Sequence, residues 1–153
     1  MTRRYIFYVL LCCLANKASA SEPPSVCIGT PEKGRLEHGW KLPTDGLNYS
    51  AYSNTGALLG RTYVHSSVHA VVVDAYAALA KSLPDKRYVY GETGKAEGGI
   101  FKPYKTHQNG LSVDFMVPVL NERGESVDLP SSPFNKFGYD IEFTATGTYD
   151  DLR

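Results

Sequence analysis

The chain has 153 residues, 42 % of them hydrophobic, and its 16 Lys+Arg balance 16 Asp+Glu. That length supports one domain with a modest core. The charge balance excludes the strongly basic face of a general nucleic-acid or anionic-membrane binder.

Residues 1–20 read as a secretory signal outside the fold. Arg3 and Arg4 form a basic start, residues 5–15 are an apolar run, and Ala18-Ser19-Ala20 is a small-residue cleavage site. The run is shorter than the roughly 20 apolar residues a spanning helix needs, and nothing later reaches that length, so no membrane insertion is expected after the signal is removed. Loss of Arg3, Arg4 and Lys17 leaves a mature net charge of about −3. Cys12 and Cys13 leave as well, so Cys27 stands alone in residues 21–153, an unpaired thiol that an oxidising compartment accommodates by burial, an intermolecular bond or a partner outside these residues.

Residues 21–46 are rich in Pro, Gly and charge and read as an extended lead-in, with Trp40 and Leu42 in a first short strand. His38 reads as a surface histidine, and residues 49–62 as a loop able to hold a short strand. The clearest element is a helix over residues 66–82. Val68, Val71, Val72, Ala75, Tyr76, Leu79 and Leu83 recur at three- and four-residue steps, with Ser66 as the N-cap and Pro84 just beyond the end. His65 and His69 stand four apart at its start, but Ser66 follows His65 where a metalloprotease helix would carry Glu. His65 is therefore expected to pack or hydrogen-bond at the helix start, and His69 to be solvated.

Residues 87–92 read as a strand with Tyr88 and Tyr90 on one side and Val89 on the other, ending in a Gly-Glu-Thr-Gly turn. Glu92 reads as a solvated turn residue or as a carboxylate near a site. The basic and aromatic loop that follows leads into Lys105–Val117, KTHQNGLSVDFMV. There an imidazole and a carboxylate lie seven positions apart. On one straight strand, rising about 3.3 Å per residue, His107 and Asp114 would sit roughly 23 Å apart on opposite faces. On a helix they would be roughly 10 Å apart. The chain must fold back for them to meet, and Asn109-Gly110 supplies the reversal. Leu111, Val113, Phe115 and Val117 then alternate with Ser112, Asp114 and Met116, which predicts a strand with its apolar side on the core. Ser112 lacks the G-x-S-x-G setting of a serine nucleophile. Beyond Pro118 the spacing predicts a hairpin over residues 117–129, a loop over 130–136 and a strand over 139–143. The fold class expected is α+β, a mostly antiparallel sheet with the one main helix on one face.

The string His-Gln-Asn-Gly-Leu-Ser-Val-Asp resembles the histidine-x6-aspartate zinc motif of the penicillin-insensitive murein endopeptidases, periplasmic enzymes that cut peptide cross-links in peptidoglycan. The likeness extends over residues 39–114 and includes GRTYVHSSVHAVVVDAYAAL, the YGETG turn and Gly98-Gly99. It implies a fold shared with D-Ala-D-Ala dipeptidases and lysostaphin-like endopeptidases, zinc as cofactor, His107 and Asp114 as ligands, and Glu92, Ser112 and His65 as candidates for supporting or substrate-contacting positions. That family draws its third ligand and a further catalytic histidine from a downstream His-x-His segment. His107 is the last histidine here, so no catalytic residue is assigned within the chain, and the expectation is a C-terminally truncated form.

Three readings result: a zinc-dependent murein endopeptidase in truncated form, an inactive relative that binds peptidoglycan, and an exported structural or interaction domain in which His107 and Asp114 pair without metal. All three are exported. Mass analysis of the protein recovered from the producing cell should find its N-terminus at or near Ser21, and a cytoplasmic product retaining Met1 would remove the periplasmic assignment.

Overall fold

A computed structural model describes residues 23–144 together with Tyr149 and Asp150. The signal segment and cleavage site expected over residues 1–20 lie outside the described residues. The class is α+β, with short strands and one long helix. The strands pair as five two-stranded ladders among the described residues rather than as one sheet.

The lead-in holds a hairpin that the Pro and Gly content concealed. Strand β1 (Val26–Thr30) pairs antiparallel with β2 (Lys33–Glu37), and Leu36 is the side chain it buries. Next, β3 (Trp40–Lys41) pairs with β5 (Tyr63–Val64). Between them, β4 (Tyr49–Ala51) leads to a short helix α1 (Asn54–Leu58), capped by the Ser53 side chain on the Gly56 N–H. Then come helix α2 (Ser66–Ser82) and β6 (Tyr88–Tyr90), which pairs parallel with β4. A helix-bearing connection is what two parallel strands require. Strands β7 (Val119–Leu120) and β8 (Ser126–Val127) form the later hairpin, and β9 (Glu142–Phe143) pairs with β10 (Tyr149–Asp150).

Helix α2 has the boundaries its periodicity predicts, but its cap differs. His65 is the N-cap, its Nδ1 accepting from the Ser67 N–H at 3.1 Å, while Ser66 and Ser25 exchange backbone N–H to side-chain hydroxyl bonds at 2.9 and 3.0 Å. Two of the first orphan N–H groups of the helix are satisfied in this way, one of them from the N-terminal segment. His69 is half-buried, its ring edge-on to Trp40 at 5.3 Å, rather than solvated.

Strand β6 divides the interior in two because successive side chains leave a strand on opposite faces. Tyr90 joins Leu42, Tyr49, Val64, Val72 and Tyr76 under α2. Val89 joins Tyr52, Val119 and Leu129 on the other side. Residues 111–117 run antiparallel to β6 through the Tyr90–Phe115 bridge, yet their expected core face is mostly open. Phe115 is 59 % exposed, Val117 57 % and Leu111 47 %, and only Val113 packs against the core. Val71 and Leu83 of the predicted helix stripe are exposed as well. Phe115 faces Tyr76 edge-on across an open apolar groove of about 310 Å³ that Val71 and Ala75 also line.

Two buried tyrosines of the first core differ in their hydroxyls. Tyr90 Oη donates to the Pro43 carbonyl at 2.9 Å, whereas Tyr76 Oη is buried without a hydrogen-bond partner, and its burial, with Tyr49 and Tyr88 nearby, pushes the phenol up to about 12. Leaving a buried hydroxyl unpaired costs about 1–3 kcal/mol, whereas a made bond is worth about 1. Tyr76→Phe should therefore raise the urea unfolding free energy by about 1 kcal/mol and Tyr90→Phe should lower it by about as much, the two compared in the same titration.

Candidate metal centre

The reversal predicted at Asn109-Gly110 is present. Gly110 takes φ +79°, and a Cβ there would meet the His65 backbone nitrogen at 2.8 Å, so this position needs both the freedom and the smallness of glycine. Asn109 is buried, its Oδ1 accepting from the Leu111 N–H at 3.3 Å, and the Gly110 carbonyl accepts from the His65 N–H at 2.9 Å. The turn is thereby fastened to the start of α2. His107 itself takes φ 72°, a left-handed conformation that few residues other than Gly, Asn, Asp and His adopt.

The fold-back brings His107 Nε2 to 3.5 Å from Asp114 Oδ1. The opposite atom of each side chain is engaged elsewhere. His107 Nδ1 lies 3.1 Å from the Thr93 carbonyl oxygen. A carbonyl can only accept, so Nδ1 carries the hydrogen and the neutral ring keeps its lone pair on Nε2. Asp114 Oδ2 accepts from the Tyr139 hydroxyl at 2.7 Å, and that hydroxyl accepts in turn from the Glu92 N–H at 3.1 Å. Burial first, and then the Asp114 carboxylate, against the opposing effect of the Glu92 N–H, push the Tyr139 phenol far above its ordinary value, so it stays a donor. Phe101 and Tyr104 flank the imidazole at 5.6 and 5.7 Å between ring centroids, and Tyr104 also reaches Tyr139 at 5.6 Å.

An imidazole lone pair and a carboxylate oxygen, both acceptors and 3.5 Å apart, are uncompensated unless a proton or cation lies between them. Two ligands each about 2.0–2.1 Å from a tetrahedral zinc are roughly 3.3–3.4 Å apart, so the N and O donors present fit that ion in spacing and in type. No group of three or more His, Cys, Asp or Glu side chains suited to a metal occurs among the described residues. The chain matches no family model and no curated protein.

The other predicted positions have different employments. Glu92 is not a solvated turn residue. It is 5 % exposed, and its carboxylate is held bidentately by Arg61, with Nη2 to Oε2 at 2.8 Å, and by the Tyr52 hydroxyl at 2.7 Å. It reaches the pair through its backbone, with its N–H on Tyr139 and its carbonyl accepting from the Asp114 N–H. Burial and Glu92 together push the Tyr52 phenol up, and Arg61 stacks over Phe101 at 4.1 Å. His65 spends Nδ1 on the helix cap. Ser112 is half-buried and hydrogen-bonded to neither His107 nor Asp114. Tyr139, Thr93 and Arg61 are the residues that sequence reasoning missed, and no local spacing marks them.

Removing one partner of a buried ion pair strands the other charge, at a cost of about 3–5 kcal/mol. The Arg61 and Glu92 side chains are 24 % and 7 % exposed. Glu92→Ala should therefore cost about 3 kcal/mol in denaturant unfolding.

Proposed function

We propose that the protein is an exported, zinc-dependent peptidase-type domain directed at the peptide cross-links of peptidoglycan, with His107 Nε2 and Asp114 Oδ1 as two donors to the metal. One observation carries the reading: a carboxylate oxygen and an imidazole nitrogen 3.5 Å apart, each with its opposite atom tied down by another group. The substrate class and the periplasmic location come from the resemblance of the His107–Asp114 string and from the signal-like N-terminus.

Zinc bound there supplies Lewis-acid polarisation of a peptide carbonyl and activation of water at neutral pH. The chain's own residues prepare the place for it. Thr93 O fixes the imidazole tautomer that leaves Nε2 free, Asp114 brings the compensating negative charge, and Phe101 and Tyr104 shield the ring from solvent. Two protein donors are one fewer than a catalytic zinc takes. Affinity falls with a missing ligand, and general acid–base help alone is worth about 100- to 10,000-fold in rate. The present residues are therefore a weak zinc binder and a poor hydrolase by themselves. The His-x-His segment of the resembling family would supply what they lack.

The same contact favours a second reading. A protonated His107 beside an ionised Asp114 is an ion pair that pins the loop to residues 111–117, as a non-catalytic peptidoglycan-binding or structural domain would use it. Metal analysis separates the two. The mature chain should take up zinc weakly, lose it in His107→Ala and Asp114→Ala, and release no muropeptides from murein. Adding a His-x-His segment should tighten zinc binding and bring cleavage with it. Zinc uptake indifferent to both substitutions would sink the metal reading and leave the ion pair, and efficient chelator-sensitive cleavage by residues 21–153 would point instead to His65, His69 and Glu92.

A further inference from the structure

The segment before Tyr139 is built to present its hydroxyl. Residues Pro133–Gly138 turn sharply through a kink at Asn135–Phe137, where Lys136 and Phe137 take φ of 47° and 59°, conformations a free chain avoids. Asn135, 7 % exposed, holds it closed. Its Oδ1 accepts from the Ser132 and Gly138 N–H groups at 2.8 and 3.0 Å, and its Nδ2 donates to the Pro130 carbonyl at 3.0 Å. Tyr139 follows at once, and its hydroxyl lands between the Glu92 N–H and Asp114 Oδ2. A second observation lies on β6's extension. A Cβ on Gly91 would stand 2.7 Å from the Tyr139 hydroxyl and 2.8 Å from the Asp114 Cβ, so the chain carries no side chain where these two groups cross it.

We infer that Tyr139 is a positioning residue for the metal centre: by occupying Oδ2 it fixes Asp114 as a one-oxygen ligand whose Oδ1 faces His107. The inference rests on the zinc reading above and deepens it. An Asp with both oxygens free can turn or chelate through two, as carboxylates do around calcium. With Oδ2 committed, Asp114 offers one oxygen in one orientation. Partners of this kind behind a metal ligand are typically worth about 10- to 100-fold in metal affinity.

The test is a zinc titration of the mature chain against a competing zinc indicator, for wild type, Tyr139→Phe, Gly91→Ala, Tyr52→Phe, His107→Ala and Asp114→Ala, with the His107 ring nitrogens followed by ¹⁵N NMR in every protein that retains the ring. Unfolding free energies of the same proteins are measured without metal. Tyr139→Phe keeps the ring against Tyr104 and removes only the hydroxyl; it should weaken zinc by about 10- to 100-fold, and Gly91→Ala should weaken it in the same direction. Tyr52→Phe also deletes a buried phenol bond, to Glu92, and should lower stability while leaving the zinc curve unchanged. Wild-type zinc affinity in Tyr139→Phe, with binding lost in His107→Ala and Asp114→Ala, overturns the inference and spares the zinc reading. If the two ligand substitutions bind like wild type, the zinc reading itself fails. A readout without metal remains: release of Oδ2 should shift the His107 Nε2 resonance in metal-free Tyr139→Phe, and an unmoved resonance rejects the positioning role whatever zinc does.

Discussion

The hydrogen bond from His107 Nδ1 to the Thr93 carbonyl is the contact on which the centre depends. Thr93 is fully buried, its hydroxyl donating to the Tyr63 carbonyl and its N–H to the Arg61 carbonyl, so the acceptor is fixed between β5 and the continuation of β6. The bond does two things at once. It anchors a loop residue in a left-handed conformation, and by taking the only ring hydrogen of the neutral imidazole it leaves the Nε2 lone pair toward Asp114. A different acceptor geometry would swap the tautomer and present an N–H to the carboxylate. The pair would then be an ordinary hydrogen bond with no electron pair left for a cation.

Where hydrophobic period and stop signals agreed, the sequence could be read directly. Helix α2 shows this best, since a 17-residue amphipathic run ending before Pro84 has few alternatives. The sides of β6 were legible for the same reason. What escaped had either few buried side chains or partners distant in sequence. The β1–β2 hairpin carries Gly and charge because only Leu36 is buried in it. The parallel pairing of β4 with β6 leaves no local trace, as nothing in Tyr49–Ala51 announces which strand it will meet. The apolar stripe through Phe115 and Val71 reads as core in the sequence because the pattern reports chemistry, not occupancy, and in the fold those side chains border an open groove.

The centre was half legible. Imidazole, turn and carboxylate lie within eight residues, and the chain's reach over that span forced the fold-back. The supports are the other half, and they come from afar: Thr93 is 14 residues before His107, and Tyr139 is 25 residues beyond Asp114. A threonine acting through its backbone carbonyl has no residue-type signature at all. Tyr139 has one only in retrospect, since a tyrosine in an expected strand is commonplace, and Glu92, whose type suggested chemistry, is consumed by Arg61 and Tyr52.

Asp114 and Phe115 are consecutive, so one lies on the face of the His107–Asp114 pair and the other on the face of the groove. The register of residues 111–117 against β6 decides which is which. It is set by the Gly91 N–H on the Asp114 carbonyl at 2.7 Å, the Asp114 N–H on the Glu92 carbonyl at 3.1 Å and the Met116 N–H on the Val89 carbonyl at 2.9 Å. A slip of one residue would turn the carboxylate toward Tyr76 and the apolar groove, and a phenyl ring toward the imidazole. Three backbone bonds are a thin guarantee for so large a change. The Tyr139 hydroxyl strengthens it, because it bonds to the Asp114 side chain and to the Glu92 backbone, one from each side of that ladder. In the slipped register the phenol would lose its acceptor. The phenol thus aims the carboxylate and favours the only strand register in which there is a carboxylate to aim.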